Sequence, residues 1–132
     1  MAIQLSVTAR NARLDAIETT IGTSANLYIR TGAAPADCAT ADSGSLLATL
    51  ALPSDWMAAA SSGSKAKSGT WSVAASGTGT AAHFRIKDSG GTTCHLQGTV
   101  GTSGTDMIID NTSIASGQTV TVSTFTLTDA NA

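Results

Sequence analysis

Charge is scarce in this chain. Of its 132 residues only 12% are charged, seven basic against nine acidic, for a net charge of −2. No group of Lys and Arg is denser than Lys65 and Lys67, so the converging cations that displace counterions from a nucleic acid are missing and direct nucleic-acid binding is disfavoured. Long apolar runs are missing as well. That excludes a membrane-spanning helix and leaves no signal-peptide core behind Met1, so synthesis and folding inside the cell are expected. Cysteine is limited to Cys38 and Cys94, too few for a disulfide framework and expected as thiols in a reducing compartment. The two can pair only if the loop carrying Cys38 folds over the strand carrying Cys94. Aromatic residues are few: Tyr28, Trp56, Trp71, Phe84 and Phe125. The core must therefore draw mostly on small and aliphatic side chains.

What is present is alternation. Between Thr80 and Asp129 apolar and polar residues alternate in short runs separated by Ser, Thr, Gly and Asp, which predicts four strands. Ala82, Phe84 and Ile86 share a face of the first, Cys94, Leu96 and Val100 of the second, Met107 and Ile109 of the third. In the last, Val120 and Val122 are out of phase with Phe125 and Leu127, so a bulge or a change of sheet is expected near Ser123 and Thr124. Asp88-Ser89-Gly90-Gly91 is the clearest turn, because Asp bonds its own backbone and Gly tolerates positive φ. Pairing both apolar faces inward sets Ile86 opposite Cys94, Phe84 opposite Leu96, and Arg85 opposite His95 on the outside.

The earlier half is less regular. Ile3, Val7, Leu14, Ile17 and Ile21 repeat at helical spacing, with Arg10 in the missing slot, and Gly22 follows as a stop, predicting an amphipathic helix over residues 1–22. Packing on its own subunit is favoured over packing on a neighbour. Residues 23–132 form a single β domain. Ala25 to Arg30 reads as a strand with Leu27 and Ile29 inward, and Ser45 to Leu52 as another with Leu46, Ala48, Leu50 and Leu52 inward. Thr31 to Gly44 is a long loop between them. From Ser54 to Ser68 periodicity is lost: Trp56 and Met57 are expected to begin a short helical or irregular segment, and the Ser/Gly/Lys stretch after them a flexible connection before a strand at Thr70 to Val73. The predicted class is all-β: an antiparallel β-sandwich or jelly-roll-like domain with one N-terminal amphipathic helix.

Candidate chemistry dissolves on inspection. Asp88-Ser89-Gly90 copies part of a serine-protease motif, but a chain this short cannot build the double barrel, and His83 lies on the same hairpin. Cys38, His83, Cys94 and His95 are the only conceivable metal set, and neighbours on a strand project to opposite faces, so Cys94 reads as a core residue and both histidines as surface residues. Asp106, Asp110 and Asn111 read as turn residues before paired catalytic carboxylates or a calcium site. No catalytic, cofactor-binding or metal-binding residue is assigned.

The order of segments resembles a family of small structural proteins of tailed bacteriophages. The resemblance is carried by Arg30 to Pro35, Leu46 to Leu50, Gly79 to Ile86, Asp88 to Thr93, Gln97 to Asp106 and Asn111 to Leu127. It implies a virion component without catalysis or cofactor, assembled in the host cytoplasm: a capsid decoration or cement protein bound to the major capsid protein as a dimer or trimer. A tail or baseplate module facing the host receptor is the alternative. The expected contact elements are the N-terminal helix, the Thr31 to Gly44 loop and the Ser54 to Ser68 segment. Their candidate contact residues are Arg10, Arg13, Asp37, Cys38, Trp56, Met57, Lys65 and Lys67.

Overall fold

The computed structural model describes residues 3–130. Met1, Ala2, Asn131 and Ala132, which fall within the expected helix and β domain, lie outside the described residues. One helix, α1 (Val7–Ile21), precedes nine strands: β1 (Asn26–Thr31), β2 (Leu46–Ala51), β3 (Ser64–Ala66), β4 (Ser72–Ala74), β5 (Gly79–Lys87), β6 (Cys94–Gly101), β7 (Met107–Ile109), β8 (Ser113–Ile114) and β9 (Thr119–Thr128). They form one curled sheet in the order β2-β1-β5-β6-β7-β9-β3, with β4 also on β9 and β8 on β5. The class is β-rich, as the alternation predicts. It is not purely antiparallel: β6 and β7 run parallel through Val100 opposite Met107 and Gly101 opposite Ile108. Their short connection is pinned by Asp106, whose Oδ2 accepts from Thr99 N at 2.8 Å and Thr99 Oγ1 at 2.9 Å.

The strands with one wet face follow the sequence reading. Leu27 and Ile29 of β1 are fully buried, as are Ala48 and Leu50 of β2, while a register shift at Arg30 brings Leu47 inward too. The expected irregularity in β9 is present. Thr124 pairs with Ile108 and Val122 with Ile109, so Ser123 is the extra residue that restores Phe125 to the inner face. Asp88 closes its turn as expected, with Gly91 N donating to Asp88 O and Thr92 N to Asp88 Oδ1, both at 2.9 Å. Gly91 has φ +70°, and a Cβ there would lie 2.5 Å from the Tyr28 hydroxyl.

The pairing of β5 with β6 differs from expectation. Ile86 lies opposite Leu96, Phe84 opposite Gly98 and Arg85 opposite Gln97, with a shift before Lys87 meets Cys94. His95 is the bulged residue. The extra residue turns Cys94 onto the face of Arg85 and Lys87, so Cys94 is half-buried there and is not a core residue beside Leu96.

Few as they are, the aromatics form the spine of the core. Trp56 and Trp71 lie 6.1 Å apart between ring centroids, Trp71 and Phe125 5.8 Å, and Phe125 and Phe84 5.4 Å edge to face. Trp56 and Met57 are fully buried, so the Ser54 to Ser68 segment is neither a loose connection nor a presenter of exposed aromatic surface. Its backbone is paired: Ala58 N donates to Ala66 O and Ser68 N to Trp56 O, each at 2.9 Å, and β3 lies within it.

The helix is shorter than its apolar spacing implies. Ser6 is the N-cap, its side chain accepting from Ala9 N at 3.1 Å, and this leaves Ile3 outside the helix, 86% exposed. Val7 is 47% exposed, and only Leu14 and Ile21 are buried. A polar seam to the same chain seats the helix. Asn11 Oδ1 accepts from Gly63 N and Asp15 Oδ1 from Ala60 N at 2.9 Å, while Trp56 Nε1 donates to Gly22 O at the helix end. Trp71→Ala and Trp56→Ala, which open the aromatic spine and take the indole donors from Ser68 O and Gly22 O, are each expected to cost about 3–5 kcal/mol by chemical denaturation.

Candidate functional site

The most heavily built region outside the core is the outer face of β5. His83, Arg85 and Lys87 alternate along this strand opposite the core-facing Phe84 and Ile86, a pattern that would ordinarily meet water. Instead the Gly32 to Gly44 loop lies over it. Arg85 and His83 are each 1% exposed, so neither is the surface residue that alternation suggests. The loop returns to β2 through Gly44, at φ +67°, where a Cβ would lie 1.9 Å from Thr31 O.

A buried guanidinium needs partners for its donors, and the loop supplies them. Arg85 Nη1 donates to Asp42 Oδ1 at 2.6 Å, and Nη2 to Cys38 O at 2.9 Å and Asp37 O at 3.3 Å. Its Nε donates to Cys94 Sγ at 3.2 Å. Burial opposes the charge of Arg85, but the contacts with Cys94 and Asp42 outweigh it and raise its pKa. Asp42 is shared: Lys87 Nζ donates to its Oδ2 at 2.8 Å, and Arg30 Nη1 stands 3.8 Å away. The hydrogen bond from Lys87 foremost, with Arg85 behind it, holds the Asp42 carboxyl below the usual range against the effect of burial.

Other side chains of the sheet tie down the rest of the loop. Gln97 Nε2 donates to Pro35 O at 2.7 Å, and Arg30 Nε to Ser43 O at 2.8 Å. His83 Nδ1 stands 2.7 Å from Gly32 O, and because a carbonyl only accepts, the proton is on Nδ1. Within the loop, Asp37 Oδ1 accepts from the hydroxyl and the amide of Thr40, each at 2.8 Å, which lowers its pKa.

The expected contact residues therefore fall into separate places. Asp37 and Cys38 lie together on the loop above Arg85. Trp56 and Met57 are core residues and offer no contact surface. Lys65, 1% exposed, is enclosed between Asp15 Oδ1 and Glu18 Oε2, both at 2.7 Å, and donates to Ala58 O at 2.8 Å. Burial works against its charge, yet the hydrogen bonds to Asp15 and Glu18 prevail and raise its pKa. Lys67 is half-buried, its Nζ 5.9 Å from the Trp71 ring centroid and 3.0 Å from Gly69 O. Arg10 donates to Asp129 O at 3.0 Å, and Arg13, mostly exposed, pairs with Asp129 at 3.3 Å. Ile3 and Val7, the exposed large hydrophobics among the described residues, were expected as part of a covered stripe.

Among the described residues no group of three or more His, Cys, Asp or Glu could hold a metal ion. Asp106, Asp110 and Asn111 accept from Thr99, Thr121 and Ser113 backbone amides respectively, the work of turn residues. Comparison with known proteins yields no matching family model, no matching curated protein and no matching solved structure.

The Asp42 clamp has a defined pH signature. A carboxyl whose folded pKa lies below its unfolded value of about 4 adds stability above that value and loses it as pH falls through the folded one. Relative to the intrinsic exchange rate at each pH, amide exchange across residues 32–44 is expected to accelerate on acidification through that window while exchange in β1 and β5 stays slow. Asp42→Asn, which strips Arg85 and Lys87 of their shared anion, is expected to produce the same loop acceleration at neutral pH and to cost about 1–3 kcal/mol by denaturation.

Proposed function

We propose that this protein is a non-enzymatic structural component of a tailed-bacteriophage virion, a decoration or cement protein that binds the major capsid protein and stabilises the shell. Under this reading it is assembled in the host cytoplasm and acts as a dimer or trimer. Its body is a sandwich whose two halves, parts of the one curled sheet, face each other across the aromatic spine. The order of sequence segments along the chain supports the family, and one structural observation supports the mode of action. Nearly all large apolar side chains are covered, yet Ile3 and Val7 stand out at 86% and 47% exposure on an uncharged stretch before and into α1.

An exposed apolar arm on a body otherwise closed is a feature that an interface would cover. A ligand that binds only the assembled shell stabilises it by mass action, in proportion to its concentration over Kd. A rigid body limits the ordering cost of attachment, and the loop clamped by Asp42 adds a second preorganised surface. Trp56, one of the expected contact residues, is fully buried and gives the tail alternative no stacking surface.

Counting this protein by mass spectrometry in intact particles provides the test. A copy number proportional to the major capsid protein is expected; only a handful of copies would transfer the assignment to the tail. In a reconstitution with shells lacking this protein, Ile3→Glu and Val7→Glu are expected to weaken binding at least tenfold with the melting temperature of the free protein unchanged. Undiminished binding by both variants would remove the arm from the interface.

A further inference from the structure

Two thiols meet at the edge of the Arg85 clamp. Cys38 comes from the loop between β1 and β2, Cys94 from the first position of β6, and both line one hollow of about 290 Å³ with Thr40, Asp42, Arg85 and Lys87. Both are free and half-buried. Arg85 holds the two residues from one guanidinium, donating through Nη2 to the Cys38 carbonyl at 2.9 Å and through Nε to the Cys94 sulfur at 3.2 Å. Burial, followed by the nearness of Cys94, pushes the Cys38 thiol up to about 11.

Disulfide closure needs two sulfurs that already face each other and a backbone able to follow them to bonding distance. The first condition is supported by the single hollow that both residues line and by the one guanidinium that bonds both. The second is met on one side only: Cys94 belongs to a strand, whereas from Gly32 to Ser45 the chain has neither helix nor strand. The sheet can stay in place while the loop moves.

We propose that Cys38 and Cys94 form a redox modification site, a dithiol that a low-molecular-weight disulfide such as glutathione disulfide converts into an intramolecular disulfide stapling the loop to β6. One protein thiolate attacks a glutathione sulfur, forming a mixed disulfide and releasing one glutathione thiolate. The second protein thiolate then attacks the protein sulfur of that mixed disulfide and expels the other glutathione. The protein loses two protons and two electrons, and glutathione disulfide takes them up as two glutathione thiols. Because the bridge joins positions far apart in sequence, it restricts the unfolded chain as well as the loop. The site stands apart from the capsid reading, since it is a property of the isolated chain.

The experiment uses the full-length protein equilibrated with glutathione disulfide or with dithiothreitol, then quenched with a thiol alkylating agent. The expected result is a monomer that has lost two hydrogens and takes up no alkyl group, with Cys38 and Cys94 joined in the peptide map. The dithiothreitol sample takes up two. The oxidised protein should melt at higher temperature and exchange its residue 32–44 amides more slowly, and Cys38→Ser and Cys94→Ser should each abolish both effects. Mixed disulfides that persist on both cysteines, bridges only between molecules, or two thiols still free at equilibrium would each overturn the site. A bridge that forms without slowing loop exchange would overturn the staple.

Discussion

A guanidinium withdrawn from water in the middle of the sheet sets the terms for half of this structure. Arg85 sits on the strand that joins β1 to β6, and its charge stays in the interior only because its donors find acceptors around Nε, Nη1 and Nη2. The acceptors are one carboxylate, two loop carbonyls and a sulfur. Those carbonyls belong to a segment with no ladder of its own, so the requirement works both ways: the cation is neutralised by the loop, and the loop is given a conformation by the cation. Asp42 widens the arrangement to Lys87 and Arg30, joining neighbouring strands to one loop residue.

The same solution recurs at the helix. Lys65 projects from the edge strand β3 into two carboxylates of α1, and the surrounding contacts are hydrogen bonds from backbone amides of residues 60 and 63 to side chains of the helix. A chain with only seven basic residues has thus placed two of them almost wholly inside, each seating an element that lacks the apolar area to seat itself. Polar contacts of this sort add less net stability than burial does, but they require a particular geometry, and a misplaced loop or helix leaves a charge stranded. The low surface charge follows in part from this use.

Alternation in the sequence revealed structure where a strand has one wet face. Leu27 and Ile29 against Tyr28 and Arg30 in β1 could be read directly, as could the phase change at Ser123. It failed at β5 because polar spacing at His83 and Arg85 is the same whether water or a loop lies over it. Half of the partners of Arg85 are backbone oxygens, which no residue type advertises. His95 as a bulge was equally silent, and that single extra residue decided which face Cys94 occupies. Missing periodicity around Trp56 suggested exposure, yet irregular backbone can be buried when its amides are taken, as Met57 and Ala60 are by Glu18 and Asp15. Apolar spacing overstated the helix at Ile3, where the Ser6 cap decided the boundary.

The seating of α1 also carries a consequence for biosynthesis. Among the described residues, the polar partners that seat the helix on the sheet are encoded downstream of it, from Trp56 Nε1 on Gly22 O, 34 residues apart, to Arg10 reaching Asp129 across 119 residues. The helix is therefore made before the partners that seat it and is among the last elements to find its place. Until β3 and the end of β9 have been made, Asp15 and Glu18 lack the cation that they later enclose, and the helix has little apolar area to hold it elsewhere. Synthesis of β9 and docking of α1 become coupled late events, so a nascent chain stalled before β9 would carry α1 undocked.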